Sequence, residues 1–224
     1  MRWLLVFCPV LLLGGAALGE EEPSRYYFAV VDGGKVTGRV DVGLVKRDNQ
    51  VFLVSGFFPG SWAIKNPGSG KPTRRAYAEL ENDGTLGKYK RWDNRGKGYR
   101  YWMAFVFEGK VKIRYEKGVG DKGRVKDVAE ATAVRPLDTS RPELAWLLLG
   151  LDKETQCVGV NPQAFGKARV EKTGEEGVQL LDGRKLTLTH WRVTGDCGNY
   201  DVFTNAKGEP VVIQAQKLRY ERLP

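Results

Sequence analysis

The stretch "YRYWMAFVFEGKVKIRYE", residues 99–116, decides the fold. In its second arm Val111, Ile113 and Tyr115 alternate with Lys112, Arg114 and Glu116. That period of two marks a strand with one face in a core and one in water. The first arm does not alternate. From Tyr101 to Phe107 both faces are largely apolar, the pattern of a central strand covered on two sides. Glu108-Gly109-Lys110 joins the arms as a hairpin turn. One segment could supply the second cover. Ser140 and Glu143 form a capping box, Pro142 stands in the first turn, and "LAWLLLGL" follows, so a buried helix is expected over 140–151. Leu144, Leu147, Leu148 and Leu151 fill one stripe of it, leaving Trp146 and Leu149 to meet another wall of a curled sheet or to line a cavity.

Strand patterns continue in both directions. "YYFAVV" at 26–31 breaks at Asp32-Gly33-Gly34, after which Val36, Gly38, Val40, Val42 and Leu44 alternate with polar or small residues. "VFLVSGFF" follows at 51–58. A further hairpin joins 73–81 to 85–92 through Asn82-Asp83-Gly84. After a loop carrying Cys157, strands are expected at about 167–173, 178–181, 185–194, 199–204 and 211–220. The fold class is therefore all-β with one buried helix: a curved antiparallel sheet, from half-barrel to partly closed barrel, with the helix on its concave side. One such domain is expected over 20–224.

Residues 1–19 read as a signal peptide. Arg2 supplies the positive start, an apolar run follows, and Ala17-Leu18-Gly19 suits cleavage before Glu20. The run falls short of the ~20 apolar residues of a secure membrane span; an uncleaved N-terminal anchor is the alternative. Export to a periplasmic or secreted location is the expectation. The exported chain keeps two of its three cysteines, Cys157 and Cys197. In an oxidising compartment such a pair is expected to form a disulfide. Closing a loop of ~40 residues gives about 4 kcal/mol in the chain-entropy model. A redox pair would use closer spacing, and two cysteines with one histidine match no zinc pattern.

Charge is uneven. Residues 25–126 hold 22 Lys and Arg against 10 Asp and Glu, while 127–224 are nearly balanced. The basic half suits an anionic partner. Its densest part is "KYKRWDNRGKGYRYW", 88–102, where Lys88, Lys90, Arg91, Arg95 and Lys97 interleave with Tyr89, Trp92, Tyr99 and Trp102. Such a mixture can hold anionic groups and stack rings. The competing reading is an edge strand guarded by lysines. Nucleic acid is a rare partner outside the cytoplasm. "NPGSGKPT", 66–73, imitates a phosphate loop but lacks its first glycine and a following helix, which excludes a nucleotide. No cofactor or metal is implied.

His190, the sole histidine, falls in the 185–194 strand. It could serve as a general base, but no nucleophile elbow accompanies it and no orienting acid is evident from spacing. A cell-envelope hydrolase is the weakest of the functional readings.

The segment "GRKLTLTHWRVTGDCGNYDVFTNAKGEPVVIQA" resembles the C-terminal signature of a family of uncharacterised exported bacterial β-proteins. Thr194-Gly195-Asp196, Tyr200 to Phe203 and Gly208-Glu209-Pro210-Val211 occupy the matching places. "YYFAVVDGGKVTGRVDV" is similar to their N-terminal signature, and "LDTSRPELAWLLLG" sits where they carry a mid-chain helix. The chain departs from them near Val202, where a Trp is usual, and in its cysteine pair. The family is similar in fold to periplasmic lipoprotein and lipid carriers, which implies a half-barrel and brings no catalytic residue. Gly60-Ser61-Trp62 also resembles the G-x-W of lipocalins, although here it follows two strands. The excess apolar residues of 99–107 and 143–151, with the basic half, give the expectation of a binding protein for an apolar or amphiphilic ligand or an envelope component, with Trp146 bordering the ligand and Trp102 or Phe105 opposite. The alternative is a polyanion-binding module acting through 88–102.

Overall fold

Period-two alternation runs through the computed structural model, which describes residues 24–47, 50–66, 70–95, 98–118, 121–131, 133–139, 141–149, 154–160 and 163–224. The signal-peptide reading of 1–19, with Ser140, Leu151 and Lys97, lies outside the described residues. The strands are β1 (Ser24–Asp32), β2 (Lys35–Arg47), β3 (Gln50–Pro59), β4 (Arg74–Glu81), β5 (Leu86–Arg95), β6 (Gly98–Phe107), β7 (Lys110–Lys117), β8 (Arg124–Glu130) and β9 (Val134–Pro136). They continue as β10 (Glu154–Val160), β11 (Gln163–Gln179), β12 (Lys185–Gly195), β13 (Tyr200–Thr204), β14 (Pro210–Ala215) and β15 (Leu218–Arg222). A one-turn helix α1 (Trp62–Lys65) and a 3-10 helix (Pro142–Leu148) interrupt them.

All 15 described strands form one curved, open sheet in the order β8-β7-β6-β5-β4-β3-β2-β1-β15-β14-β13-β12-β11-β10-β9. Every pairing is antiparallel except β9 with β10. β1 and β15 meet in the middle, with Phe28 opposite Arg222 and Val30 opposite Tyr220. The sheet curls until β9 and β10 approach β5 and β6.

The concave face carries the main core. Phe28, Leu53, Tyr89, Ile113, Val158 and Ile213 are buried there with the 3-10 helix, whose Leu144, Ala145 and Leu148 are among the most buried residues. Each such leucine contributes roughly 2 kcal/mol of apolar burial. The helix therefore covers the side expected, but as a seven-residue 3-10 segment rather than an amphipathic α-helix. Trp146 packs edge-on against Tyr26 at 5.1 Å, and its indole N–H donates to the Gly208 carbonyl at 3.2 Å. A smaller cluster on the opposite face holds Val178, Leu180, Leu188, Phe203, Val211 and Val212. The far end of the β11–β12 hairpin bends over it: the Leu181 amide donates to Glu221 at 2.6 Å, and Arg219 donates to the Gln179 carbonyl at 2.6 Å.

Four expectations are corrected. The segments 167–173 and 178–181 are one strand, β11, which absorbs its irregularity as a register shift between Lys172 and Gly174. The loop expected around Cys157 is strand β10. The strand read as 211–220 is two, β14 and β15, turning at Gln216 with φ 53°. Gly60-Ser61-Trp62 leads into α1, not a strand, and Trp62 stays 57% exposed.

Candidate functional site: an aromatic and basic outer face

Strand β5 sorts its side chains by parity. Tyr89, Arg91 and Asp93 point to the concave face and are buried; Lys88, Lys90, Trp92 and Asn94 point outward. The strand is hydrogen-bonded on both sides, to β4 and β6, so it is no edge. Arg91 is correspondingly no surface cation. Its guanidinium grips Asp93 through two bonds of 3.1 and 2.8 Å, reaches Asp138 at 3.5 Å, and lies 5.0 Å over the Trp102 ring. A desolvated arginine needs that pairing. The side chain of Arg95 lies outside the described residues.

The outward residues of β3, β4 and β5 line an open groove of about 660 Å³. Its walls are Val54, Arg75, Tyr77, Glu79, Lys88, Lys90, Trp92 and Asn94. The register sets these in rows: Arg75 opposite Trp92, Tyr77 opposite Lys90, Glu79 opposite Lys88. Neighbouring strands lie ~4.8 Å apart and same-face residues ~7 Å apart along a strand, so cations and rings alternate within reach of one extended ligand. Phe52 lies 6.3 Å from Tyr77, and Trp92 lies 5.5 Å from Tyr101. The Tyr77 hydroxyl donates to Glu79 at 3.3 Å; burial and then that carboxylate raise its pKa. Arg75, Lys88 and Lys90 form no ion pair among the described residues, whereas Lys112 and Arg114 beyond the groove are engaged by Asp127 and Glu116.

Beyond β5 the aromatic surface continues. Tyr101, Met103 and Phe105 of β6 are half-buried on this outer face, and Phe107 is 53% exposed. The apolar second face of β6 thus has no layer over it among the described residues; side chains of β5 and β7 shelter it. Trp102 and Phe105 consequently point to opposite sides of the sheet, Trp102 inward under Arg91 and Phe105 outward between Lys88 and Lys112. With Trp146 held against Tyr26, the three residues expected around one ligand are not gathered.

The concave side instead holds a charge network that the sequence reading missed. Ser55 donates to Glu143 at 2.7 Å, Arg141 lies 3.5 Å from the same carboxylate oxygen, and Tyr89 donates to Asp138 at 3.1 Å. Arg91, Arg141, Asp93, Asp138 and Glu143 are all at most 3% exposed. Burial, then the nearby carboxylates, hold the Tyr89 and Tyr220 hydroxyls protonated well above the ordinary phenol range. Arg141 Nε and Nη2 and Glu143 Oε2 lack a protein partner among the described residues. The signal was present in "LDTSRPELAW", where three charges crowd against an apolar helix. A third buried cation, Arg39, pairs with Asp41, donates to the carbonyls of Ala63 and Asn66, and ties α1 to β2.

His190 is also better supported than its spacing suggested. Its Nε2 lies 2.8 Å from Asp201 and its Nδ1 3.1 Å from Glu176, and its ring stacks on Phe203 at 4.5 Å. Two acids therefore flank it, joining β11, β12 and β13. Among the described residues no group of three His, Cys, Asp or Glu side chains is placed to hold a metal.

Cys157 and Cys197 are both buried and both free, so the expected disulfide is not formed in the structure. Both belong to the main core cluster. No family model, curated protein or solved structure matches the chain. No described helix is long and apolar enough to cross a membrane.

Proposed function

We propose that this protein is a binding protein of the cell envelope whose ligand is an anionic polymer, held along the outer groove of β4 and β5. The observation that carries the reading is the groove itself: Arg75, Lys88 and Lys90, none with an ion pair among the described residues, set between Tyr77, Trp92 and Val54. The cations attract repeated negative charge, and the rings add stacking surface that uncharged polar walls would lack. Side chains occupy the concave face that an apolar ligand would use, with Tyr89, Trp102, Leu144 and Leu148 packed in one cluster. An envelope location rests on the signal-peptide reading of residues 1–19, and it makes an anionic envelope polymer a more accessible partner than nucleic acid. The role is capture rather than turnover.

Titration with dextran sulfate, followed by tryptophan fluorescence, tests this. Binding should weaken as salt is added. A Lys88→Glu, Lys90→Glu double variant should weaken it at least tenfold, and Trp92→Ala should weaken it without altering the salt response. Equal binding by the double variant would sink the proposal. Tighter binding to neutral phospholipid vesicles than to dextran sulfate would favour an amphiphile instead.

A further inference from the structure

We propose that the outer groove selects acidic polysaccharides over phosphate polymers, and that Glu79 sets the choice. This rests on the groove reading above and narrows its ligand from any anionic polymer to a chain of sugars bearing acid groups. The pairing of β4 with β5 arranges the outward side chains as rungs: Arg75 with Trp92, Tyr77 with Lys90, Glu79 with Lys88. Each of the first two rungs sets a cation beside a ring, and successive rungs lie ~7 Å apart along the strands. Trp92 and Tyr77 are half-buried and both line the groove, so each keeps ring surface toward it. The negative face of an aromatic ring attracts the C–H groups of a sugar, while the neighbouring cation takes the acid substituent. A chain of bare phosphates engages the cations and has nothing to lay on the rings.

The last rung differs. Glu79 stands opposite Lys88 without an ion pair among the described residues. Its Oε2 instead accepts the Tyr77 hydroxyl at 3.3 Å, which ties the carboxylate to the middle rung. An anion fixed among cations discriminates in two ways. It accepts hydrogen bonds from hydroxyls, which sugars carry and an ionised polyphosphate does not. It also repels a polymer that has only charged oxygens to offer, because a phosphate seated on Lys88 lies about one strand spacing, ~4.8 Å, from the carboxylate's strand. An acidic polysaccharide has neutral hydroxyls between its acid groups and can set one there. Asn94, beyond Trp92 on the same wall, adds an amide donor and acceptor of the same use. Arg75, Lys88 and Lys90 still outnumber Glu79, so the groove remains attractive to polyanions as a class.

The test is competition between polymers for the full-length protein, read by tryptophan fluorescence: polygalacturonate, polyphosphate matched to it in total charge, single-stranded oligo(dT), dextran sulfate and neutral dextran. Polygalacturonate should bind about tenfold tighter than polyphosphate, and Glu79→Gln should cut that ratio to about threefold or less by strengthening polyphosphate binding. Polyphosphate or oligo(dT) binding as tightly as polygalacturonate would overturn the inference, as would a ratio left unchanged in Glu79→Gln. The two dextrans keep this inference apart from the reading it rests on. Preference for dextran sulfate over neutral dextran, with phosphate polymers bound as tightly as polygalacturonate, overturns the selectivity alone. No preference for dextran sulfate over neutral dextran overturns the groove reading and the selectivity together. If Glu79→Gln fails to fold, the ranking of polymers by the parent still decides.

Discussion

Arg91 shows how one residue's role depends on parity. In the sequence it belongs to a run of cations, and its neighbours Lys88 and Lys90 do face water. Shifted by one position, it faces inward and is clasped by Asp93 and Asp138. Arg91→Leu would strand two carboxylates in the core and should lower stability by about 3–5 kcal/mol, read from urea midpoints. His190 is a milder case. Its partners Glu176 and Asp201 are 56% and 38% exposed and would be re-hydrated, so His190→Gln should lower stability by only about 1 kcal/mol. It should leave groove binding unchanged, and loss of dextran sulfate binding in that variant would contradict the placement of the site. Buried phenols set an alkaline limit. Tyr89, Tyr200 and Tyr220 all have raised pKa values, burial being the first cause. Folding therefore keeps them neutral, a contribution complete below the ordinary phenol value of about 10 and lost progressively as pH climbs above it. Denaturation midpoints at rising alkaline pH should fall in the parent and fall less steeply in Tyr220→Phe.

Elements were legible where polar and apolar residues alternate and a glycine or asparagine marks the turn. The hairpins joining β4 to β5 and β6 to β7 follow this rule; at Glu108-Gly109 both residues take positive φ, as a tight hairpin demands. The rule failed between β14 and β15. "VVIQAQKLRYER" contains no turn residue, yet Gln216 adopts φ 53°. A side chain there is strained, so Gln216→Gly should raise stability by roughly 1 kcal/mol in thermal unfolding. β8 escaped notice because "RVKDVAE" is mostly exposed and buries neither face, although six of its seven residues pair with β7. The helix was placed correctly but not its geometry. Seven residues wedged between β13, β14 and β3 follow the space available rather than a helical stripe.

For the whole molecule, curvature and the inward face were readable, whereas the network of Asp138, Arg141 and Glu143 was not. Nothing local announces that residues 138–143 meet Ser55 and Tyr89; only the curl of the sheet brings them together. The outer groove was half legible. Lys88, Lys90 and Trp92 stood out as a run, but Arg75 and Tyr77 join them only through strand pairing.

The pairing of β1 with β15 has a consequence for synthesis. The strands at the centre of the sheet are the earliest and the latest of the described strands to leave the ribosome. β1 to β8 can zip together as they emerge, yet β1 keeps a raw hydrogen-bonding edge until Arg219 to Arg222 arrive to cover it. A chain halted before β15 would expose open edges on β1 and β14 at once, inviting strand exchange with its neighbours. Assembly is thus held open until β15 is made, so a truncation that removes this one short strand is more harmful than its length suggests.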